Sequence, residues 1–259
     1  MLKNHIHLAW ELAKRDIRAR YIGSSLGIVW AFLQPLLQLI LFTFVFSTIL
    51  KISLAGERGG GESFPLFLFA GLLPWMGIQE MAQRSTTVLV DQAALVKKLA
   101  FPPHLLVAGT LLSAAVHQAL AACVFLVVLG FAGRLAWTAL WIVPLLALQV
   151  LFVAGACFLL SALQVFFRDT AQMVGYVLMV LFYGTPIVYP LALVHQDSLR
   201  TVLQWNPLTR LVEAFRDVLL RGQAPPLGDL ALLALTGAVV TWLGLTVFNR
   251  SRAQFADLL

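Results

Sequence analysis

Six uncharged runs divide this sequence, and they restrict the chain to a membrane-spanning fold. The runs cover residues 21–50, 63–79, 99–133, 135–167, 170–196 and 230–249. A helix needs about 20 apolar residues to cross roughly 30 Å of hydrocarbon. Five runs reach that length, and the second, with 17 residues, ends at Glu80, which can pair with Arg84 one turn later. We therefore expect six transmembrane helices.

The composition agrees with this interpretation. Charged residues make up 12% of the chain and hydrophobic residues 60%, whereas a soluble domain carries about 25% charged residues. A soluble enzyme, a disordered tail and a fibrous repeat are thereby excluded. Outer-membrane strands require alternating segments of about ten residues, and runs such as residues 36–50 do not alternate. The sequence predicts one all-α integral membrane domain over residues 1–259.

The distribution of basic residues predicts the orientation. If the N-terminus is cytoplasmic, eleven of the 18 lysines and arginines fall in cytoplasmic segments. Four of the other seven lie in residues 196–229, which also carry acidic side chains. The positive-inside rule therefore favours both termini in the cytoplasm. The net charge of +6 forms no separate basic domain, so we expect no nucleic-acid partner.

Residues 1–22 precede the first run and combine apolar and basic residues at helical spacing. The apolar positions are Ile6, Trp10, Ala13 and Ile17. Such a helix can lie in the membrane plane, with tryptophan in the interface and cations at the phosphates of membrane lipids. A simple positive-inside anchor has the same pattern. Both interpretations stay open.

Residues 84–104 form a predicted cytoplasmic loop. It contains a helix-like piece, Asp91–Leu99, and the pair Pro102–Pro103, which stops a helix. An apolar, basic segment on the cytoplasmic side suits docking into a partner's groove. Equally, the two prolines can simply begin the next membrane helix.

Residues 188–229 form a predicted segment on the opposite side of the membrane. Pro186 and Pro190 end the fifth helix, and apolar residues then recur at helical spacing after Asn206. These are Leu208, Leu211, Val212, Phe215, Val218 and Leu219. We expect short amphipathic helices that partly re-enter the outer leaflet, either as a lid over a passage or as plain surface helices.

Motifs for catalysis and energy conversion are missing from the sequence. It contains no P-loop, no nucleophile elbow and no Cys/His metal pattern. Acidic residues are nearly absent from the runs, whereas ion-coupled transport generally needs them there. We therefore expect no cofactor or metal in this chain and an external energy source. The lone His117 suits a helix–helix hydrogen bond better than a proton relay, and Cys123 and Cys157 suit core packing.

Several aromatic residues lie deep in the runs rather than at their ends. Aromatic faces stack on the apolar faces of sugar rings, so rings that line a channel suit an oligosaccharide. The candidates for such a lining are Phe152, Phe158, Phe182 and Tyr183. Packing against lipid or neighbouring helices is the alternative for each of them.

Six motifs in order resemble the membrane subunits of ABC-2-type polysaccharide exporters. They occupy residues 15–47, 66–75, 95–106, 167–170, 185–191 and 206–222. The resemblance implies a permease that exports a lipid-linked polysaccharide of the O-antigen, capsule or teichoic-acid type. It also implies a bacterial inner-membrane homodimer that works with two copies of a separate P-loop ATPase, which bind ATP and Mg. A continuous channel would follow the dimer axis.

The resemblance also implies three groups of site residues. The entrance for the lipid pyrophosphate is a gate helix with Trp10, Arg15, Arg18, Arg20 and Tyr21. The element that couples to the ATPase holds Leu95, Lys97, Lys98, Phe101 and Pro102. The periplasmic exit comprises Asn206, Pro207, Glu213, Arg216 and Asp217. Pro103 and His104 depart from the family pattern, in which a more polar residue follows Phe-Pro.

Two other functions remain as alternatives at this point. One is an ABC-2 permease for a drug, a lipid or another small molecule, which needs no aromatic lining. The other is an autonomous membrane enzyme that acts on polyprenyl carriers, and the missing acidic pair argues against it.

Overall fold

The computed structural model describes residues 2–51, 63–98 and 101–259, and every regular element in those ranges is helical. The helices are α1 (Leu2–Tyr21), α2 (Trp30–Phe42), α3 (Phe64–Asp91), α4 (Ala93–Lys98), α5 (Pro103–Phe131), α6 (Ile142–Phe166), α7 (Thr170–Tyr183), α8 (Asp197–Trp205), α9 (Pro207–Arg216), α10 (Leu227–Ser251) and α11 (Phe255–Leu258). The predicted all-α membrane fold is confirmed.

Five segments of the described chain are long and apolar enough to cross a membrane. They are Gly27–Ile49, Phe64–Asp91, Pro103–Phe131, Trp137–Phe166 and Leu227–Leu258. The fifth predicted run instead forms α7, which has 14 residues and measures about 21 Å at 1.5 Å per residue. This helix is shorter than a complete crossing because Gly184, Pro186 and Pro190 follow it. The backbone then continues to residue 196 without an α-helix, interrupted only by a 3-10 turn at Leu191–Leu193.

Helix α3 is the centre of the bundle. It is buried over most of its length and packs against α5, α6, α7 and α9. Helices α6 and α10 form the other close pair, because Gly155 and Gly244 face each other and leave no room for a Cβ on either helix. Small residues of this kind let membrane helices approach closely.

The structure shortens the predicted cytoplasmic loop of residues 84–104. Helix α3 continues through residues 84–91, since Ser85, Thr86, Val88 and Leu89 are buried against the bundle. Tertiary packing here outweighs the low helix propensity of the serine, threonine and valine residues. The helix-like piece is the six-residue α4. Leu99 lies outside the described residues.

The predicted amphipathic helix of the outer segment is present as α9 and a π-helical continuation, Asp217–Arg221. All six of its predicted apolar residues are buried. Gly222 ends it with a φ of +64°, which glycine adopts without steric strain. Helix α8 was not predicted. It presents Leu203 to the core. Its nine residues are too few for the apolar spacing to distinguish a helix from a loop.

Candidate functional site

Helix α1 packs along α5 and is joined to α3 by ion pairs. Ala9 and Ala13 are buried, and Leu12 lies directly over Gly109 of α5. The predicted apolar face is therefore displaced, because Ala13 belongs to the packed face whereas Trp10 is 41% exposed. The side chain of Ile6 lies outside the described part of the chain. Small residues permit this close approach between α1 and α5.

A cluster of ion pairs, which we call the charge cluster, joins the end of α1 to α3 and α5. Arg20 pairs with Glu80, and Arg84 donates to both Asp16 oxygens at 2.6 and 2.7 Å. His117 Nδ1 lies 2.6 Å from the other Glu80 oxygen. The predicted pair of Glu80 and Arg84 is present but longer, at 3.5 Å. Two cations and two anions thus compensate one another when His117 is neutral.

The three arginines of the predicted entrance are not brought together. Arg20 belongs to the charge cluster, whereas Arg15 donates to Gln92 at 2.6 Å. Arg18 is exposed and has no ion pair within the described ranges. Burial alone would lower the pKa of Arg20, but the Glu80 carboxylate outweighs it and leaves that pKa raised. Arg20 therefore stays charged beside its partner.

Two cavities lie end to end along the exposed side of α3. The inner cavity has a volume of ≈ 640 Å³ and contains the charge cluster together with Gln34 of α2. The outer cavity has a volume of ≈ 600 Å³ and lies between α2, α3 and α7. Met76 and Gln79 line both cavities. We call the combined feature the α3 groove, and it is charged at one end and aromatic at the other.

The structure divides the predicted channel aromatics. Phe182 and Tyr183 line the outer cavity. Phe158 instead packs edge-to-face on Phe248, with 5.3 Å between ring centroids, and Phe152 lies against Gly237 of α10. Neither of these two lines the α3 groove. The sequence could not separate the pairs because all four residues stand in continuous apolar runs, where no polar face shows the direction of each ring.

The aromatic lining of the outer cavity also contains residues outside the four that were predicted to line a channel. Trp75 stacks at a tilt on Phe182, with 5.5 Å between ring centroids, and its Nε1 donates to Gln79 Oε1 at 3.1 Å. Phe42 and Phe46 of the first span complete the aromatic wall. Their spacing of four residues places both on one helical face.

The predicted coupling residues surround α4. Lys97 is exposed, while Leu95 and Phe101 are half-buried against the core. Pro102 precedes the first turn of α5 and has the extended conformation that Pro103 requires of it. The side chain of Lys98 lies outside the described residues. Helix α11 packs against α4, and Phe255 anchors it 5.2 Å from the Phe248 ring.

All five predicted exit residues are half-buried or buried. Asn206 Oδ1 accepts from the Leu208 backbone N–H at 2.9 Å and so caps α9, which begins at Pro207. Its amide also donates to Thr185 Oγ1 at 3.1 Å. Arg216 is completely buried and is therefore not on the surface of an exit. It fixes the turn between α7 and α8.

The acidic members of that group form a small ion-pair network. Glu213 pairs with both Arg216 at 2.7 Å and Arg221 at 2.9 Å, and Asp217 pairs with Arg221 at 2.6 Å. Burial raises the pKa of Asp217, and Arg221 offsets this only in part. Burial lowers the pKa of Arg221, but Glu213 and Asp217 together leave it raised.

A buried amide pair was missed by the sequence analysis. Gln118 and Gln149 donate to each other's carbonyl oxygens at 2.9 Å. Each also donates to a backbone carbonyl of α3, those of Leu73 and Pro74. Gly77 provides the space for the Gln118 amide. Two glutamines in apolar runs were the available signal, since buried amides in a membrane require partners.

Together these features define a multi-pass helical membrane protein with a polar groove inside its bundle and a separate basic element at one end. The chain belongs to the ABC-2 type transporter family, whose model matches residues 7–220. This result confirms the family resemblance found in the sequence.

Curated relatives extend over nearly the whole chain. The O-antigen export system permease protein RfbA of Klebsiella pneumoniae is 29% identical over 252 residues, which cover 96% of this chain and 93% of the relative. The protein of the same name from Myxococcus xanthus is 27% identical, with coverages of 95% and 93%. The polysialic acid transport protein KpsM of Escherichia coli is 24% identical, with coverages of 91% and 90%.

Proposed function

We propose that this chain is the transmembrane subunit of an ATP-driven exporter that moves a lipid-linked polysaccharide out of the cytoplasm. The observation that carries the proposal is the α3 groove in a chain of the ABC-2 type. Its inner cavity holds two arginines suited to a phosphate group, and its outer cavity offers aromatic faces to sugar rings. Relatives named for O-antigen export and polysialic acid transport support a polysaccharide as the cargo.

The energy comes from two copies of a separate ATPase bound to a homodimer of this chain. The absence of a P-loop from the sequence supports a separate ATPase. Lys97 provides the charge of a basic docking surface on α4, next to Lys98 in the sequence, and Phe101 provides its apolar edge. Leu95 and Pro102 hold that surface against the bundle. The arrangement suits a short helix that docks into a groove of its partner.

The pyrophosphate of the substrate enters by taking the place of a carboxylate beside Arg20. Asp16 and Arg20 belong to α1, whereas Glu80 and Arg84 belong to α3. A phosphate that pairs with the arginines competes with both carboxylates, because guanidinium groups bind phosphate and carboxylate in the same planar geometry. This competition loosens α1 from α3, so that substrate binding and movement of the gate helix are coupled. Arg15 and Arg18 face the approaching lipid.

The chain lies in the bacterial inner membrane and crosses it six times, with both termini in the cytoplasm. The majority of basic residues in the cytoplasmic segments supports this orientation. Helix α7 and the irregular residues that follow it complete the fifth crossing. Helices α8 and α9 then lie on the periplasmic side, where α9 packs beside the outer turns of α3.

Deletion and complementation in the native host test the proposal. Loss of the chain should remove the polysaccharide from the cell surface and leave its lipid-linked form inside, and the restored chain should reverse both effects. The purified complex should contain a P-loop ATPase in equal amount. Normal surface polysaccharide after deletion would contradict the proposal, and an ATPase without any glycan would favour a small-molecule substrate.

Lys97→Glu tests the coupling surface. Because the variant replaces an exposed cation by an anion, it should abolish ATPase co-purification or export while the protein still inserts into the membrane. Lys51→Glu is the matched control. Lys51 is also exposed, but it follows the C-terminal end of the first span, on the side of the membrane opposite to α4 in the proposed orientation. Equal effects of the two variants would show that α4 is not the docking surface.

A further inference from the structure

Glutamine side chains form a second, uncharged feature of the α3 groove. Gln34 and Gln38 are one turn apart on α2, and Gln79 and Gln83 are one turn apart on α3. Gln34 and Gln83 line the inner cavity, Gln38 lines the outer cavity, and Gln79 lines both. We call these four residues the glutamine track.

The position of the track within the membrane helices makes it unusual. Gln38 lies 11 residues into the span Gly27–Ile49, which places it about 16 Å along the helix. An amide at that depth is costly in contact with lipid, because hydrocarbon offers no hydrogen-bond partner. The side of α2 that carries these glutamines therefore faces water, protein or substrate.

The exposed stripe of α3 supports the same conclusion. Most of this helix is buried, yet Met76, Gln79 and Gln83 are half-buried or exposed on one face. Their spacing of three to four residues makes a continuous stripe along the groove. A lipid-facing stripe would be apolar, so this one lines a polar passage.

Hydrogen-bonding capacity in the track is largely unused. Gln79 accepts from Trp75, and its amide NH₂ makes no hydrogen bond within the described chain. Gln34, Gln38 and Gln83 make none with any other described residue. By contrast, the buried amides Gln118 and Gln149 are fully engaged with each other and with α3. The track therefore keeps its donors and acceptors available to a ligand.

The track is also neutral beyond the charge cluster. Among the residues that the structure describes, no acidic or basic one lines the outer cavity, where Gln38 and Gln79 lie beside the aromatic wall. An amide both donates and accepts, which matches the hydroxyl group of a sugar. The aromatic faces at the same place are suited to the C–H faces of sugar rings. A small apolar cargo has no use for such amides.

We infer that the glutamine track guides the hydroxyl-bearing sugar units of the exported chain through the groove, while the charge cluster handles only the phosphate end. This inference rests on the proposed function, since it assigns the carbohydrate part of that substrate to named residues. Each sugar unit exchanges its hydrogen bonds with water for bonds to the amides, so that it moves without an unpaired hydroxyl.

A triple variant tests the track in the complete complex with its ATPase. Gln34→Leu, Gln38→Leu and Gln83→Leu together should slow polysaccharide export about tenfold, since each lost amide leaves a hydroxyl without its partner. ATPase co-purification and membrane insertion should stay unchanged. The same three positions changed to Asn should restore export to within about twofold. Leu36→Met, at an exposed position outside both cavities, should export normally.

Photo-crosslinking provides a measurement that does not depend on removing the amides. A photoreactive residue at position 38 should capture the lipid-linked glycan during export, and one at position 36 should not. Capture of a second copy of this chain alone at position 38 would overturn the inference, because the track would then be a dimer interface. Wild-type export rates in the triple Leu variant would also overturn it.

The two proposals fail in different ways in these experiments. If the wild-type complex exports no glycan at all, the proposed function fails and the track fails with it. If the wild type exports glycan and the triple Leu variant does so equally well, only the assignment of the track is wrong.

Discussion

Arg216→Met should destabilise the protein strongly, although Arg216 is distant from the charge cluster. The guanidinium is completely buried and donates to the carbonyl oxygens of Pro186 at 2.8 Å and Ile187 at 2.6 Å. It also pairs with Glu213 and lies 3.7 Å from the centre of the Phe67 ring. Methionine matches the apolar part of the arginine side chain but not its guanidinium, so the variant removes the charge and the donors and fills part of the space.

The loss of stability in Arg216→Met follows from the contacts that the guanidinium makes. Each hydrogen bond from the guanidinium to a carbonyl contributes about 1.5–3 kcal/mol, and a desolvated cation–π contact contributes about 2 kcal/mol. Glu213 keeps its pair with Arg221 at 2.9 Å and is therefore not left as an isolated charge. Packing by the methionine recovers part of the loss. We expect a net cost of about 3–5 kcal/mol, within the range found for breaking buried ion pairs.

Thermal unfolding of the detergent-solubilised protein measures this cost. For a chain of about 250 residues, 1 kcal/mol lowers the Tm by about 2–4 °C, so the expected fall is about 10 °C. Arg210→Met is the matched control. Arg210 pairs with Asp229, and both side chains are 29% exposed, so its loss should cost less than about 1 kcal/mol. Equal Tm values for the two variants would refute the structural role of Arg216.

Three further predictions follow from local geometry. Gly77→Ala should destabilise the protein by about 1–3 kcal/mol despite the better helix propensity of alanine, because the new Cβ overlaps the Gln118 amide; a rise in Tm would contradict this. The pKa of Asp217 is raised in the folded state. Its contribution to the free energy of unfolding is therefore full below its ordinary pKa of 3.8 and is lost as the pH rises through its folded-state pKa. Asp217→Asn should therefore flatten the dependence of Tm on pH above 3.8, while Arg221 keeps Glu213 as its partner; an unchanged profile would contradict this. Asn206→Ala should cost about 1 kcal/mol through loss of the α9 cap, and Asn206→Ser should restore most of it.

The fold was largely predictable because membrane-spanning helices correspond to long uncharged runs in the sequence. Five of the six runs coincide with segments long enough to span, and α9 was predicted from its apolar spacing between Pro207 and Gly222. Where the sequence analysis differed, local signals were misleading. Five of the residues 85–90 are serine, threonine or valine, which favour helices poorly, yet α3 continues through them because the bundle buries one face.

The site was less predictable because side-chain direction depends on partners far away in the chain. Arg216 stands in an amphipathic segment like its neighbours, and its burial depends on partners distant in the chain, among them the carbonyls of residues 186–187 and the Phe67 ring. Likewise, Gln118 finds Gln149 across 31 residues. The gate arginines share one helix, yet within the fold Arg15 pairs with Gln92 and Arg20 with Glu80.

The shortness of the second run was itself the strongest signal of a site. Its 17 uncharged residues belong to a helix of 28 residues, and the charge that ended the run, Glu80, is the residue that joins Arg20 to His117. A charge inside a membrane helix is tolerated when it faces protein or a polar cavity rather than lipid. An early end to an apolar run therefore has two explanations, the end of the helix or a groove that begins there. Helix propensity does not distinguish these two explanations. The deciding observation is that Gln79 and Gln83 lie one turn apart on the same face of the helix. They extend a polar stripe that a groove accommodates and lipid does not.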